Sequence, residues 1–495
     1  MRRFEASIGD LGVPGLPPRR LFSDPVDGMP RPSSARSGST ASPVGLRQRP
    51  ADPPSLPIRA GGLVGDERGV LAQATPRSTG PAAAKAARGD ELRPLRIALY
   101  SHDTVGLGHF RRNLMLARSF VALEPRPHVL MISGATEAVR FPKPPGVDVI
   151  TLPALTKVER NRYGSRSLGV RLEELVDLRA RTILAAVSSF APDLLVVDNV
   201  PRGAQGELDA TLERLRADGR THVVLGLRDV LDEPEAVRRE WRGLGNEEVI
   251  ERLFDAVWVY GDRQVVDLAR EYGFGRPTAS RIHYVGYLDR CEDATRGPSS
   301  AEADGTAARV AGGRPYALCL VGGGEDGVRL AEAFSRLEAR PDQDRVLLLG
   351  PYMPEAARLA VRARAEASPD LEVIDFLEDP MPLVAGASSV ISMGGHNSVS
   401  EILSFDRPAL IVPRVSPRRE QWVRAHRLAR LGLVDVLDPA ELEPERLAGW
   451  LEKTPTRSFR AREAVDMGGL ERTRALVAEL ALARAFERTS ERELR

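Results

Sequence analysis

The stretch Ser389-Val390-Ile391-Ser392-Met393-Gly394-Gly395-His396-Asn397-Ser398-Val399-Ser400-Glu401 decides the fold. Its first four residues set two β-branched side chains between two serines, a short run that reads as a buried strand. Gly394 and Gly395 then permit a tight turn, and helical spacing resumes over Val399–Phe405. A buried strand that enters a helix through a glycine turn is the repeating unit of a parallel sheet covered by helices. The helix start also offers backbone amides and positive partial charge, a setting that holds a diphosphate, with His396, Asn397 or Ser398 beside it. Asn397 and Glu401 are four residues apart and share a helix face, which suits Glu401 to accept the two hydroxyls of a ribose. The plainer alternative is an N-capped helix with a solvated glutamate.

Working outward, Pro408–Pro413 reads as another buried strand, and Arg414-Val415-Ser416-Pro417-Arg418-Arg419-Glu420-Gln421 leads into the next helix. Polar groups there suit sugar hydroxyls and the arginines suit phosphate charge, although a solvated helix start predicts a similar run. Upstream, strand Tyr316–Val321 is followed by Gly322-Gly323-Gly324 and a helix from about Asp326, so Gly323 and Gly324 allow phosphate approach in the same way. Strands at Arg345–Leu349, Leu371–Asp375 and Val434–Leu437 complete this series. An earlier series places strands at Leu95–Tyr100, His128–Ser133, Val147–Leu152, Asp193–Asp198, His222–Leu227, Ala256–Tyr260 and Ile282–Val285, with helices over Phe110–Ala122, Leu168–Phe190 and Gly206–Ala217. The polar stretch Glu292–Arg314 separates the two.

The expected architecture is α/β: a Rossmann-like parallel-sheet domain over residues 93–290, a linker over 291–314, and a second such domain over 315–470 facing the first across a cleft. A C-terminal helix and tail occupy 471–495; Leu470, Ala475, Leu476, Leu480 and Leu482 lie near one face and predict docking on a neighbouring core. Residues 1–92 read as a disordered tail, because 13 Pro, 12 Gly and 9 Ser in the first 90 leave too little periodic apolar surface to offset chain entropy. Docking of this basic segment on phosphate or lipid is the alternative.

The first strand runs directly into Ser101-His102-Asp103-Thr104-Val105-Gly106-Leu107-Gly108-His109. Gly106 and Gly108 suit a ligand loop at a helix start, whereas a dinucleotide fingerprint would want a third glycine where Arg111 stands. A turn that uses glycine only for geometry is the bland reading. His109 falls in the first helical turn, where an imidazole kept neutral by the helix dipole can take a proton from a hydroxyl, and it is the candidate base. Asp198, Asp229 and Asp262 end strands on the same side of the sheet; Asp198 or Asp229 is the candidate to orient His109 or to replace it, and helix capping is the competing role for each.

Composition excludes more than it assigns. With 70 basic and 69 acidic residues, no global field draws the chain to nucleic acid, and an anionic ligand needs a local site. Cys291 and Cys319 stand apart without metal-like spacing, so neither a disulfide framework nor a zinc site is expected. No signal-like or bilayer-length apolar run occurs, which predicts a cytoplasmic protein, with peripheral contact at the inner face of the membrane left compatible.

At these residues the chain resembles family 28 glycosyltransferases of the GT-B fold, related to the enzyme that glycosylates the lipid-linked peptidoglycan precursor. The most specific part runs from Phe376-Leu377-Glu378-Asp379 through Ser392–Glu401 and Pro408–Pro413 to Glu420-Gln421. The resemblance implies that Leu377 sets a backbone group against uracil, that Glu401 binds ribose, that Glu420 and Gln421 meet the donor sugar, and that His109 serves the acceptor side or the diphosphate. It implies inverting transfer of a sugar, N-acetylglucosamine in the related enzyme, from a UDP-sugar to an acceptor hydroxyl, with no cofactor or essential metal. The glycine run before His109 is poorer than in the peptidoglycan enzyme, and Asp198–Gly203 and Leu227–Glu233 look closer to an uncharacterised bacterial subgroup of glycosyltransferases. The acceptor, whether glycan, lipid-linked or small molecule, is therefore left open. The rivals are a UDP-sugar 2-epimerase and a non-catalytic nucleotide-sugar sensor.

Overall fold

A computed structural model describes residues 93–495 apart from 104–105, 160–161, 292–304, 307–308, 311–312, 325, 454–459 and 494–495. The expected tail and most of the expected linker lie outside the described residues.

The aliphatic runs form two wholly parallel sheets. The first contains β1 (Arg96–Ser101), β2 (His128–Ser133), β3 (Val147–Thr151), β6 (Leu194–Asp198), β7 (His222–Arg228), β8 (Ala256–Tyr260) and β9 (Ile282–Tyr284) in the order β3-β2-β1-β6-β7-β8-β9. Between β3 and β6 a separate antiparallel hairpin, β4 (Leu155–Glu159) and β5 (Arg162–Ser165), stands outside the sheet. The second sheet holds β10 (Tyr316–Leu320), β11 (Asp344–Leu348), β12 (Leu371–Ile374), β13 (Ser389–Ser392), β14 (Ala409–Ile411) and β15 (Asp435–Val436) in the order β12-β11-β10-β13-β14-β15. Every residue of β6, β8, β10, β13 and β14 is buried, as strands covered by helices on both faces require.

Both sheets reverse direction once, between β1 and β6 and between β10 and β13. The segments leaving the carboxyl ends of strands at such a switch point splay apart and open a crevice. That explains why residues about 90 positions apart meet. The segment after β1 enters α1 (Gly108–Phe120) beside the end of β6, and the segment after β13 enters α2 (His396–Ser404) beside the end of β10. α3 (Glu420–Arg430) follows β14. The last helix, α4 (Gly469–Glu493), returns to the first sheet: Leu470 and Val477 are buried in one cluster with Phe110, Leu114 and Phe120 of α1.

Three expectations need correction. α2 begins at His396, three residues earlier than expected, because Gly395 takes the N-cap position, with no side chain to bond the amides, and the polar His-Asn-Ser run forms the first turn. The hairpin β4–β5 carries no long apolar alternation and was not anticipated. On α4 Leu470, Leu476 and Leu480 pack as expected together with Thr473 and Val477, while Ala475 and Leu482 face solvent.

Candidate active site

The crevice encloses a cavity of about 300 Å³ lined from both sheets, large enough for part of a small ligand. Of the residues singled out in the sequence, Gly106, Gly108, His109, Gly323, Leu377, Gly395, His396, Asn397, Glu401, Glu420 and Gln421 line it. Gly324 and Gly394 do not. Both have positive φ, and a Cβ on Gly324 would lie 2.8 Å from the Met353 amide, one on Gly394 2.6 Å from Ile411 Cγ2; these glycines serve close packing rather than ligand approach.

The wall from the first sheet is built by capping. Asp103, held in the left-handed region at φ 38°, accepts the Phe110 amide at 3.0 Å and the Ser133 hydroxyl at 2.7 Å, which anchors the start of α1. Burial raises its pKa. One turn of α1 then brings His109 and Arg112 onto one face, over the end of β6. Asp198 is fully buried there, takes Arg112 through Nε at 2.8 Å and Nη2 at 2.7 Å, and hydrogen-bonds His109 Nδ1. Arg112 Nη2 also lies 3.0 Å from that Nδ1, but the carboxylate is the stronger acceptor for both hydrogens. Burial alone would raise the Asp198 pKa, yet Arg112 and His109 outweigh it and hold the carboxyl well below its ordinary range. An ionised Asp198 can only accept, so Nδ1 of His109 carries a proton and Nε2 is the ring nitrogen that faces away from the carboxylate.

Asp229 has a different role from the one anticipated, because it does not touch His109. It is fully buried, receives Arg424 Nε at 2.9 Å and the Tyr287 hydroxyl at 2.8 Å, and bonds His396 Nδ1 at 3.1 Å, joining β7 to α2 and α3. Burial would raise its pKa, but Arg424 and His396 hold it far below the carboxylate range. Asp262 accepts the Gln264 and Asp466 amides at 2.7 Å each and ties a turn to the loop before the last helix, while Asp267, not Asp262, caps the helix that follows.

The wall from the second sheet is the uncapped start of α2, where no side chain bonds the first-turn amides. Asn397 donates across the crevice to the Gly108 carbonyl at 2.7 Å, and Glu401, buried, accepts Arg111 Nη2 at 2.6 Å. Gln421 accepts the Arg414 amide at 2.9 Å; Glu420 pairs with the Arg414 guanidinium, while its Oε2 is buried without a partner among the described residues. Burial would raise the Glu420 pKa, but Arg414 and Arg228 lower it.

The sequence reading missed the arginines of the first sheet. Arg111, Arg112 and Arg228 all line the cavity. Arg228 bonds the Asn199 side chain at 3.2 Å and, unlike Arg111, Arg112 and Arg414, has no ion-pair partner among the described residues. Burial, reinforced by Arg424 and Arg112, pushes it down to about 10. The signal was present, since adjacent residues at a strand end point to opposite faces, so that with Asp229 turned inward Arg228 had to face the crevice. Among the described residues no group of three or more His, Cys, Asp or Glu side chains is gathered around a point where a cation could sit.

Two parallel-sheet halves that face each other across a crevice make up the GT-B architecture. The solved structures of the calicheamicin glycosyltransferase CalG4 (TM-score 0.50, 18% identity, 79% of this chain and 99% of that one) and of UDP-GlcNAc 2-epimerase from Methanocaldococcus jannaschii (TM-score 0.51, 13% identity, 78% and 100%) share the fold. Residues 318–470 match the model of the Glycosyltransferase family 28 C-terminal domain. Similar sequences include the UDP-N-acetylglucosamine–N-acetylmuramyl-(pentapeptide) pyrophosphoryl-undecaprenol N-acetylglucosamine transferases of Acidiphilium cryptum, 32% identical over 34% of this chain and 48% of that protein, and of Chelativorans sp., 33% identical over 31% and 43%. The chain thus spans about half the length of the curated relatives it matches.

Proposed function

We propose that the protein is a glycosyltransferase that moves a sugar from a UDP-sugar to an acceptor hydroxyl. The observation that carries this reading is the Asp198-oriented His109 in the same cavity as the open amides of α2. The acceptor oxygen attacks the anomeric carbon while His109 Nε2 takes its proton. The bond from that carbon to the diphosphate breaks, and the released charge meets the first-turn amides of α2 together with Arg228 and Arg111. Attack on the face opposite the leaving diphosphate inverts the anomeric centre. Leu377 and Glu401 take the uridine, Glu420 and Gln421 the sugar, and Gly323 and Gly395 leave room for phosphate.

The names of the similar transferases point to N-acetylglucosamine as the sugar and to a lipid-linked glycan as the class of acceptor. No helix among the described residues is long and apolar enough to cross a membrane. For a lipid-linked acceptor, the reading places the protein in peripheral contact with the cytoplasmic face. Epimerases share the fold, but the match over residues 318–470 is to a transferase domain, which favours transfer. The test is His109→Ala. Turnover should be abolished with the calorimetric Kd for UDP unchanged, and substantial residual transfer would sink the assignment of the base.

A further inference from the structure

The cavity contains a second aspartate–histidine pair, and its chemistry differs from that of the first. His396 is 5% exposed and lines the cavity in the first turn of α2. Its Nδ1 bonds Asp229, and its Nε2 is buried with no partner among the described residues. Asp229 is tied to Arg424 by two short contacts and carries its full negative charge, so it can only accept; His396 Nδ1 must therefore hold the proton. Burial pushes His396 down to about 4, so the ring is neutral at pH 7 and Nε2 is a lone pair, well suited to accept a hydrogen bond and poorly suited to keep a proton.

A buried acceptor without a donor is the costly half of a hydrogen bond, and native interiors rarely leave one unmade. Phosphate oxygens cannot complete it, because they too only accept. Uracil has one N–H, but the proposed uracil contact is at Leu377, on the loop after β12. Glu420 Oε2 is a second buried acceptor without a partner in the same cavity, at the position proposed for the sugar. Two unfilled acceptors in one cavity suit a ligand that carries several hydroxyl donors, as a sugar does.

We propose that His396 Nε2 accepts a hydroxyl of the transferred sugar and is a specificity-determining contact for the donor. This rests on the UDP-sugar reading above. Because Asp229 directly follows β7 and His396 lies on α2, the contact that fixes this tautomer holds only while the two sheets are apposed as they are here. His109 keeps the proton transfer, and His396 reads the sugar.

The experiment measures calorimetric Kd values for UDP, UDP-N-acetylglucosamine, and its 3-, 4- and 6-deoxy analogues on the full chain, with wild type, His396→Phe and His396→Gln. Phenylalanine keeps the ring volume and removes the acceptor; glutamine can donate to Asp229 and accept from a hydroxyl. Wild type should bind one deoxy analogue about 10-fold or more weakly than the parent sugar nucleotide. His396→Phe should bind UDP like wild type yet lose discrimination at that hydroxyl alone, and His396→Gln should recover part of it. Unchanged discrimination in His396→Phe, or equal loss of UDP and UDP-sugar affinity, overturns the proposal. If wild type binds no uridine nucleotide, the function proposed above falls as well.

Discussion

Asp198→Asn separates orientation of His109 from everything else the site does. The asparagine is isosteric, so Arg112 keeps an oxygen to donate to, but the amide now offers N–H where the carboxylate accepted from His109 Nδ1. The ring is driven to the other tautomer, with its proton on Nε2 and no lone pair for the acceptor hydroxyl. General base catalysis is worth about 10²–10⁴-fold, so kcat should fall by that order. Arg112 is left fully buried without its counter-charge, and breaking a buried pair from one side costs about 3–5 kcal/mol. At about 2–4 °C per kcal/mol for a large domain, Tm should drop by roughly 6–20 °C. UDP affinity should not change, since Asp198 touches nothing on the α2 wall. Single-turnover transfer at 25 °C, with calorimetry for UDP and a thermal scan, reads all three. A variant that loses its full Tm increment but keeps a tenth or more of wild-type turnover would refute the orienting role.

Other consequences follow from the same geometry. Glu401→Ala should weaken UDP binding by about tenfold or more through loss of two charge-assisted hydrogen bonds, and an unchanged Kd would remove Glu401 from the ribose site. Gly394→Ala meets both a φ of 74° and Ile411 Cγ2 at 2.6 Å, so denaturant titration should show a loss of about 2–4 kcal/mol; less than about 0.5 would mean the turn relaxes freely. His396 titrates near 4 in the fold and near 6.5 unfolded, so the unfolded chain takes up its proton first as pH falls. Its contribution is complete above pH 6.5 and is lost as pH drops from there toward 4, about 3 kcal/mol in all. Urea midpoints should fall over that window, and His396→Phe should flatten the slope by about one proton; an unaltered slope would contradict the burial of a neutral ring.

The sheets were legible because their information is local. Runs such as Ala256–Tyr260 and Ser389–Ser392 are apolar, short and bounded by turn residues, and their limits were found to the residue. The strand order was legible only as a class, since nothing local states that β1 lies beside β6. The candidate site followed the same division. His109, Glu401 and Glu420 announce themselves by position after a strand. Asp229 did not reveal its partner, because Arg424 and His396 reach it from another sheet, and Arg228 and Arg111 were hidden among 70 basic residues whose usual place is the surface. Long-range pairing of buried charges is a property of the assembled crevice. Gly324 and Gly394 show the converse, since a glycine run signals close approach without saying whether ligand or backbone approaches.

The central claim is transfer, and one incubation tests it: wild-type protein with UDP-N-acetylglucosamine, with and without a lipid and glycan extract, followed by mass spectrometry of nucleotides and products. The account predicts UDP release together with a product heavier by one sugar residue, and only when acceptor is present. Conversion of the sugar nucleotide into an epimer of the same mass without any acceptor would contradict it.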